Sequence, residues 1–75
     1  MEKILADLNQ GERGIITRMD GGAEFNRKLR TIGIREGKAV KIVTKQYFGG
    51  PIVIEVDGRS TTIGRGMARR IYVDV

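Results

Sequence analysis

The chain contains no cysteine and no histidine. Without cysteine there is no disulfide, no thiolate zinc site and no thiol nucleophile. Without histidine the commonest general base and the commonest metal ligand are missing too. Ser-His-Asp and Cys-His mechanisms are therefore excluded. A metal would have only carboxylates, suited to a hard cation, and three methionines. Long apolar runs are also missing. The longest is three residues, as in Ile52-Val53-Ile54, against about 20 for a membrane span. The opening Met1-Glu2-Lys3-Ile4 lacks the apolar stretch of a signal peptide, so the cytoplasm is the expected compartment. The carboxylates are scattered and form no acid pair at readable spacing. No catalytic residues, no cofactor and no tight metal site are expected, and an enzyme is the least favoured class.

What is present suits one small folded domain covering residues 1–75. Of the 75 residues, 40% are apolar and 31% charged, too apolar a mix for disorder. A core of this size supports only ~3–5 kcal/mol of net stability. The net charge is +5 and it is unevenly spread. Residues 1–26 hold three bases against five acids, and residues 27–75 hold eleven against four. The second stretch would draw an anionic partner such as nucleic acid, an acidic protein face or a lipid head group, or serves only solubility, for which +5 is an ordinary net charge.

Eleven glycines divide the chain into short segments, the pattern of a small barrel or sandwich. Val40, Ile42 and Thr44 alternate with Lys41, Val43 and Lys45. Ile52, Ile54 and Val56 alternate in the same way, and Asp57-Gly58 then reads as a hairpin turn into Arg59–Ile63. Ile71, Val73 and Val75 share one face of a closing strand. A further strand is expected at 14–19, its inward face undecided because Ile15 and Ile16 are adjacent and point opposite ways. One helix is predicted from Ala23 to Ile32. Phe25, Leu29 and Ile32 form its apolar stripe, Glu24 and Lys28 make an i,i+4 pair, and Gly33 follows as a C-cap. A helical turn is expected within residues 66–70, and Ile4–Leu8 as a turn or a clamp over one barrel end. The predicted core is Phe25, Leu29, Ile32, Val40, Ile42, Ile52, Ile54, Val56, Ile63, Ile71 and Val73.

Two basic clusters stand out, Arg27, Lys28 and Arg30 on the helix and Arg65, Arg69 and Arg70 near the end. Each alone reads as solvated surface; placed together they would read as a partner site. Tyr47 and Phe48 precede Gly49-Gly50-Pro51 at a hairpin tip. Either one ring tucks in and the other serves as a contact anchor, or both pack locally. The glycine-rich Asp20-Gly21-Gly22-Ala23-Glu24 reads as a tight turn and not a phosphate cradle. It lacks Gly-Lys-Ser/Thr, and Glu24 opposes an anion.

Leu5-Ala6-Asp7-Leu8, Gly11-Glu12 and Gly14-Ile15-Ile16 resemble the opening of the FeoA family. Leu29, Ile32-Gly33-Ile34 and Gly37 match that family's helix exit, which typically reads Leu-x-x-Leu-Gly-Leu-x-Pro-Gly. Gly49-Gly50-Pro51-Ile52 with Ile54, Val56 and Gly58 match its central hairpin. Ile63-Gly64-Arg65-Gly66-Met67-Ala68 with Ile71 and Val73 match its closing segment. The sequence departs from the pattern at Glu36, where proline is common, and at Arg30, where an apolar residue is common. The resemblance implies a mainly β, SH3-like five-stranded barrel with one short helix after the first strand. It also implies a small cytosolic, non-enzymatic partner of a ferrous iron uptake system, acting on FeoB, a membrane permease with a cytosolic G-protein domain. Arg27, Lys28, Arg30, Tyr47 and Phe48 are the expected partner-binding residues, and the protein is expected to be a monomer. Two other readings compete. One is a nucleic-acid-binding small barrel, which usually shows several exposed aromatics. The other is a free-standing relative of the C-terminal domain of iron-dependent repressors.

Overall fold

The structure is a computed structural model and describes residues 1–46 and 48–75; the reading of Tyr47 lies outside the described residues. Six strands form one antiparallel sheet: β1 (Glu2–Ile4), β2 (Arg13–Met19), β3 (Ala39–Thr44), β4 (Ile52–Val56), β5 (Arg59–Ile63) and β6 (Ile71–Asp74). Their order is β1-β6-β2-β3-β4-β5. Helix α1 (Gly22–Thr31) follows β2, and the short α2 (Arg65–Ala68) precedes β6. The five expected strands are thus joined by a sixth at the N-terminus, paired Lys3 to Val73 on β6. Three residues carry too little periodicity to be recognised as a strand. The stretch after it, Leu5–Asp7, is a 3-10 turn, and it buries Leu5 and Leu8 completely.

The sheet coils around one core. Leu5 near its β1 edge and Ile63 on its β5 edge belong to the same cluster, with Ile16, Leu29, Val40, Ile42, Ile52, Ile54, Val56, Ile71 and Val73. Strand β4 shows the period of two directly: Ile52, Ile54 and Val56 are buried and Val53 and Glu55 are not. Two bulges break that period elsewhere. On β2 the register passes from Ile16↔Val73 to Arg18↔Tyr72. The extra residue, Thr17, lets Ile16 and Met19 both face inward though three apart. This resolves the ambiguous face in favour of Ile16, and Ile15 is exposed. On β3 the shift between Ile42 and Thr44 ends the inward series, so Thr44 is exposed where alternation placed it with Val40 and Ile42. The β4–β5 turn has positive φ at both Asp57 and Gly58, 54° and 78°, the backbone of a two-residue hairpin turn.

Helix α1 ends one residue before its predicted limit, and this moves Ile32 out of the core. Ile32 is the C-cap and 45% exposed. Gly33 takes φ 90°. The Gly33 N–H donates to the Arg30 carbonyl at 3.1 Å and the Ile34 N–H to the Leu29 carbonyl at 2.9 Å. These two bonds define a Schellman cap, whose apolar partners are the residue after the glycine and the one five before it. Here those are Ile34 and Leu29, both buried. Ile34 therefore takes the core position the stripe assigned to Ile32. Phe25, predicted as core, is only partly buried and packs against the core edge. Its ring lies over Gly21, at the place a side chain there would occupy.

Candidate functional site: the α1 face and the hairpin tip

Short-range ion pairs hold most of the charge on α1. Arg27 bonds Glu24 at 3.0 Å, one turn back. The expected Glu24–Lys28 pair is not the one that forms. Arg30 reaches past the helix end to Glu36 at 3.5 Å. The two positions at which the chain departs from the FeoA pattern thus face one another, and the new cation is matched by the new anion. Lys28 has no ion-pair partner among the described residues. All three cations are exposed, and exposed pairs of this kind contribute little to stability.

Beside them runs a shallow groove of about 460 Å³, lined by Glu24, Phe25, Arg27, Lys28, Thr31 and Ile32. Its floor joins the half-buried Phe25 ring to the exposed Ile32, an apolar strip between cations. The helix cap creates this strip, because it turns Ile32 outward; sequence periodicity points the other way. Arg70 adds to the same end of the helix. Its guanidinium lies 5.8 Å from the Phe25 ring centroid, and its carbonyl accepts the Asp20 N–H at 2.8 Å. The second basic cluster is therefore divided. Arg70 joins α1, whereas the Arg65 guanidinium donates to the Gln46 carbonyl at the base of the β3–β4 hairpin.

At the hairpin tip Phe48 is fully exposed, and Gly49 and Gly50 both have positive φ, 99° and 90°. Phe48 does not line the α1 groove, so the helix cations and the aromatic are two patches and not one. Sequence reasoning did not single out Asn9, Gln10, Lys45 and Gln46, which line a cleft with Arg65 near the tip. No local pattern marks them, because the Gln10–Lys45 bond that gathers them spans 35 residues. Lys45 Nζ donates to the carbonyls of Ala6 at 2.6 Å and Leu8 at 2.8 Å.

The perturbed titrations lie elsewhere, on the β1–β2–β6 surface. The Glu2 carboxyl is held below its ordinary value of 4.5, chiefly by its hydrogen bond from Arg18 and then by that from Thr17. The Arg18 guanidinium also stacks on Tyr72, 3.8 Å from the ring centroid. Among the described residues no group of three or more carboxylates is placed to hold a metal ion, and no helix is long and apolar enough to cross a membrane.

The FeoA domain model matches residues 3–75. The chain belongs to the FeoA family. A relative from Methanocaldococcus jannaschii, named Fe(2+) transport protein A, is 34% identical over 70 residues, which are 93% of this chain and 83% of that protein. A crystal structure described as the iron uptake regulatory protein FeoA has a TM-score of 0.90 at 32% identity, covering 97% of this chain and 96% of that one. A manganese-dependent transcriptional repressor superimposes with a TM-score of 0.87 over 96% of this chain and 40% of its own, at 22% identity. That last likeness is one of fold. The SH3-like architecture implied by the sequence resemblance is thus the one observed, with one strand more.

Proposed function

We propose that this FeoA-family chain is a non-enzymatic accessory module of a ferrous iron uptake system. It works in the cytoplasm and docks on the cytosolic G-protein part of a FeoB-type permease. The family match over nearly the whole chain carries this reading. The α1 face and the hairpin tip supply the means. Arg27, Lys28 and Arg30 present positive charge, and Ile32 and Phe25 give an apolar strip between the cations. Phe48 supplies aromatic area at the second patch. Exposed charge speeds encounter and sets orientation, while apolar anchors slow dissociation. The module binds a protein and not the iron ion itself, since the chain offers no histidine or cysteine.

A nucleic-acid role has less to stand on. Of the aromatics among the described residues, only Phe48 is fully exposed. Tyr72 lies beneath Arg18 and Phe25 is half-buried, whereas single-strand binders stack several bases. Equilibrium binding of the full chain to the isolated cytosolic domain of the cognate permease tests the reading, with single-stranded RNA as control. Saturable one-to-one binding to the permease domain is expected. Tighter binding to RNA, lost steeply with salt, would replace this reading with the nucleic-acid one.

A further inference from the structure

A cleft of about 560 Å³ opens beside the hairpin, lined by Asn9, Gln10, Lys45, Gln46 and Arg65. It shares no residue with the groove on α1. Among the described residues the lining holds two cations, three carboxamides and no carboxylate. The nearby Glu12 is engaged by the Asn9 backbone N–H at 2.6 Å. The polar groups are fixed by bonds to the chain. The Gln10 side-chain oxygen accepts the Lys45 backbone N–H at 3.2 Å, which leaves its NH₂ group free to donate. Lys45 uses two ammonium donors on the Ala6 and Leu8 carbonyls and keeps a third. Arg65 spends one terminal nitrogen on the Gln46 carbonyl, and its Nε is buried with no partner among the described residues. Native structures leave few such donors unpaired.

We infer that this cleft binds one carboxylate, carried by an acidic peptide segment. The donors left over are the remaining terminal Arg65 N–H groups, the third Lys45 N–H and planar amides, and guanidinium and amide N–H groups match a planar carboxylate in hydrogen-bond geometry. Phe48, two residues beyond Gln46 in sequence, is fully exposed, and the test peptide carries an aromatic residue after the acid to probe it. The inference stands on this cleft alone and does not depend on the permease.

The test is a titration of the ¹⁵N-labelled full chain with the capped peptide acetyl-Ala-Glu-Phe-amide. Its comparison arms are acetyl-Ala-Gln-Phe-amide and inorganic phosphate. Saturable shifts are expected in the side-chain amides of Asn9, Gln10 and Gln46 and in Arg65 Nε. The neutral peptide should bind at least ~10-fold more weakly, the effect of one charge-assisted hydrogen bond. Arg65→Gln should lose a similar factor, with Arg65→Lys intermediate. Gln10→Glu, an exposed position, places a negative charge in the cleft and should abolish binding while the folded spectrum is kept. It thus decides the matter even if the Arg65 variants do not fold. Three results would overturn the inference: no saturable shift, equal binding of the neutral peptide, or shifts spread equally over Arg27 and Lys28. Phosphate binding as tight as the acidic peptide would overturn the carboxylate assignment.

Discussion

At the scale of the residue, Leu29 and Ile32 carry opposite consequences though one stripe holds both. Leu29 is fully buried and Ile32 is 45% exposed. Leu29→Ala should cost roughly 2–5 kcal/mol, comparable to the whole stability of a chain this small. Ile32→Ala should cost less than about 1 kcal/mol. Urea unfolding of the two variants reads the difference directly, and equal losses would contradict the Schellman geometry. Glu2 gives a second prediction. Its folded pKa is depressed, so its bond to Arg18 stabilises fully above the ordinary value of 4.5. That contribution is lost as pH falls through the lower folded value. An NMR titration should place the Glu2 midpoint below 4.5, and Arg18→Gln should bring it back up.

Elements show where the sequence was legible and where it was not. Strand β4, the buried Ile71 and Val73 of β6 and the Asp57-Gly58 turn follow from alternation and turn chemistry, because β4 has no bulge and all its inward residues are aliphatic; Val75, read onto the same face, lies past the end of β6 and is exposed. The inward faces of β2 and β3 depend on bulges, which arise from pairing with distant strands and leave no local trace. The N-terminal strand was missed for the same reason: it exists only because β6 offers it an edge. The helix was legible to within one residue, yet the identity of its last core residue was not. That depends on the left-handed Gly33, which returns the chain so that Ile34 replaces Ile32. Glycines at two places should then respond oppositely. Gly33→Ala meets open space but keeps φ 90°, and should cost about 1–2 kcal/mol through the backbone alone. Gly66→Ala, inside α2 with ordinary φ and nothing near, should stabilise by about 0.4–1 kcal/mol. Thermal unfolding of both variants checks the pair.

On the whole-molecule scale, basic charge and apolar contacts lie on two patches of a small coiled sheet. The family resemblance was legible because its glycines and aliphatics recur in order along the chain, and these are the residues that set turns and core. The candidate site was legible only in part. Arg27, Lys28, Arg30 and Phe48 could be named from local charge and turn context. Ile32 and the cleft around Lys45 and Arg65 needed the tertiary pairing. Docking through α1 predicts a specific kinetic signature. The deciding measurement is the association rate with the cytosolic domain of the cognate permease, as a function of ionic strength, for the wild type and for Arg27→Glu/Lys28→Glu. The double variant should associate more slowly and with a flatter salt dependence, its dissociation rate little changed. An unchanged association rate and salt dependence would contradict docking through the α1 face.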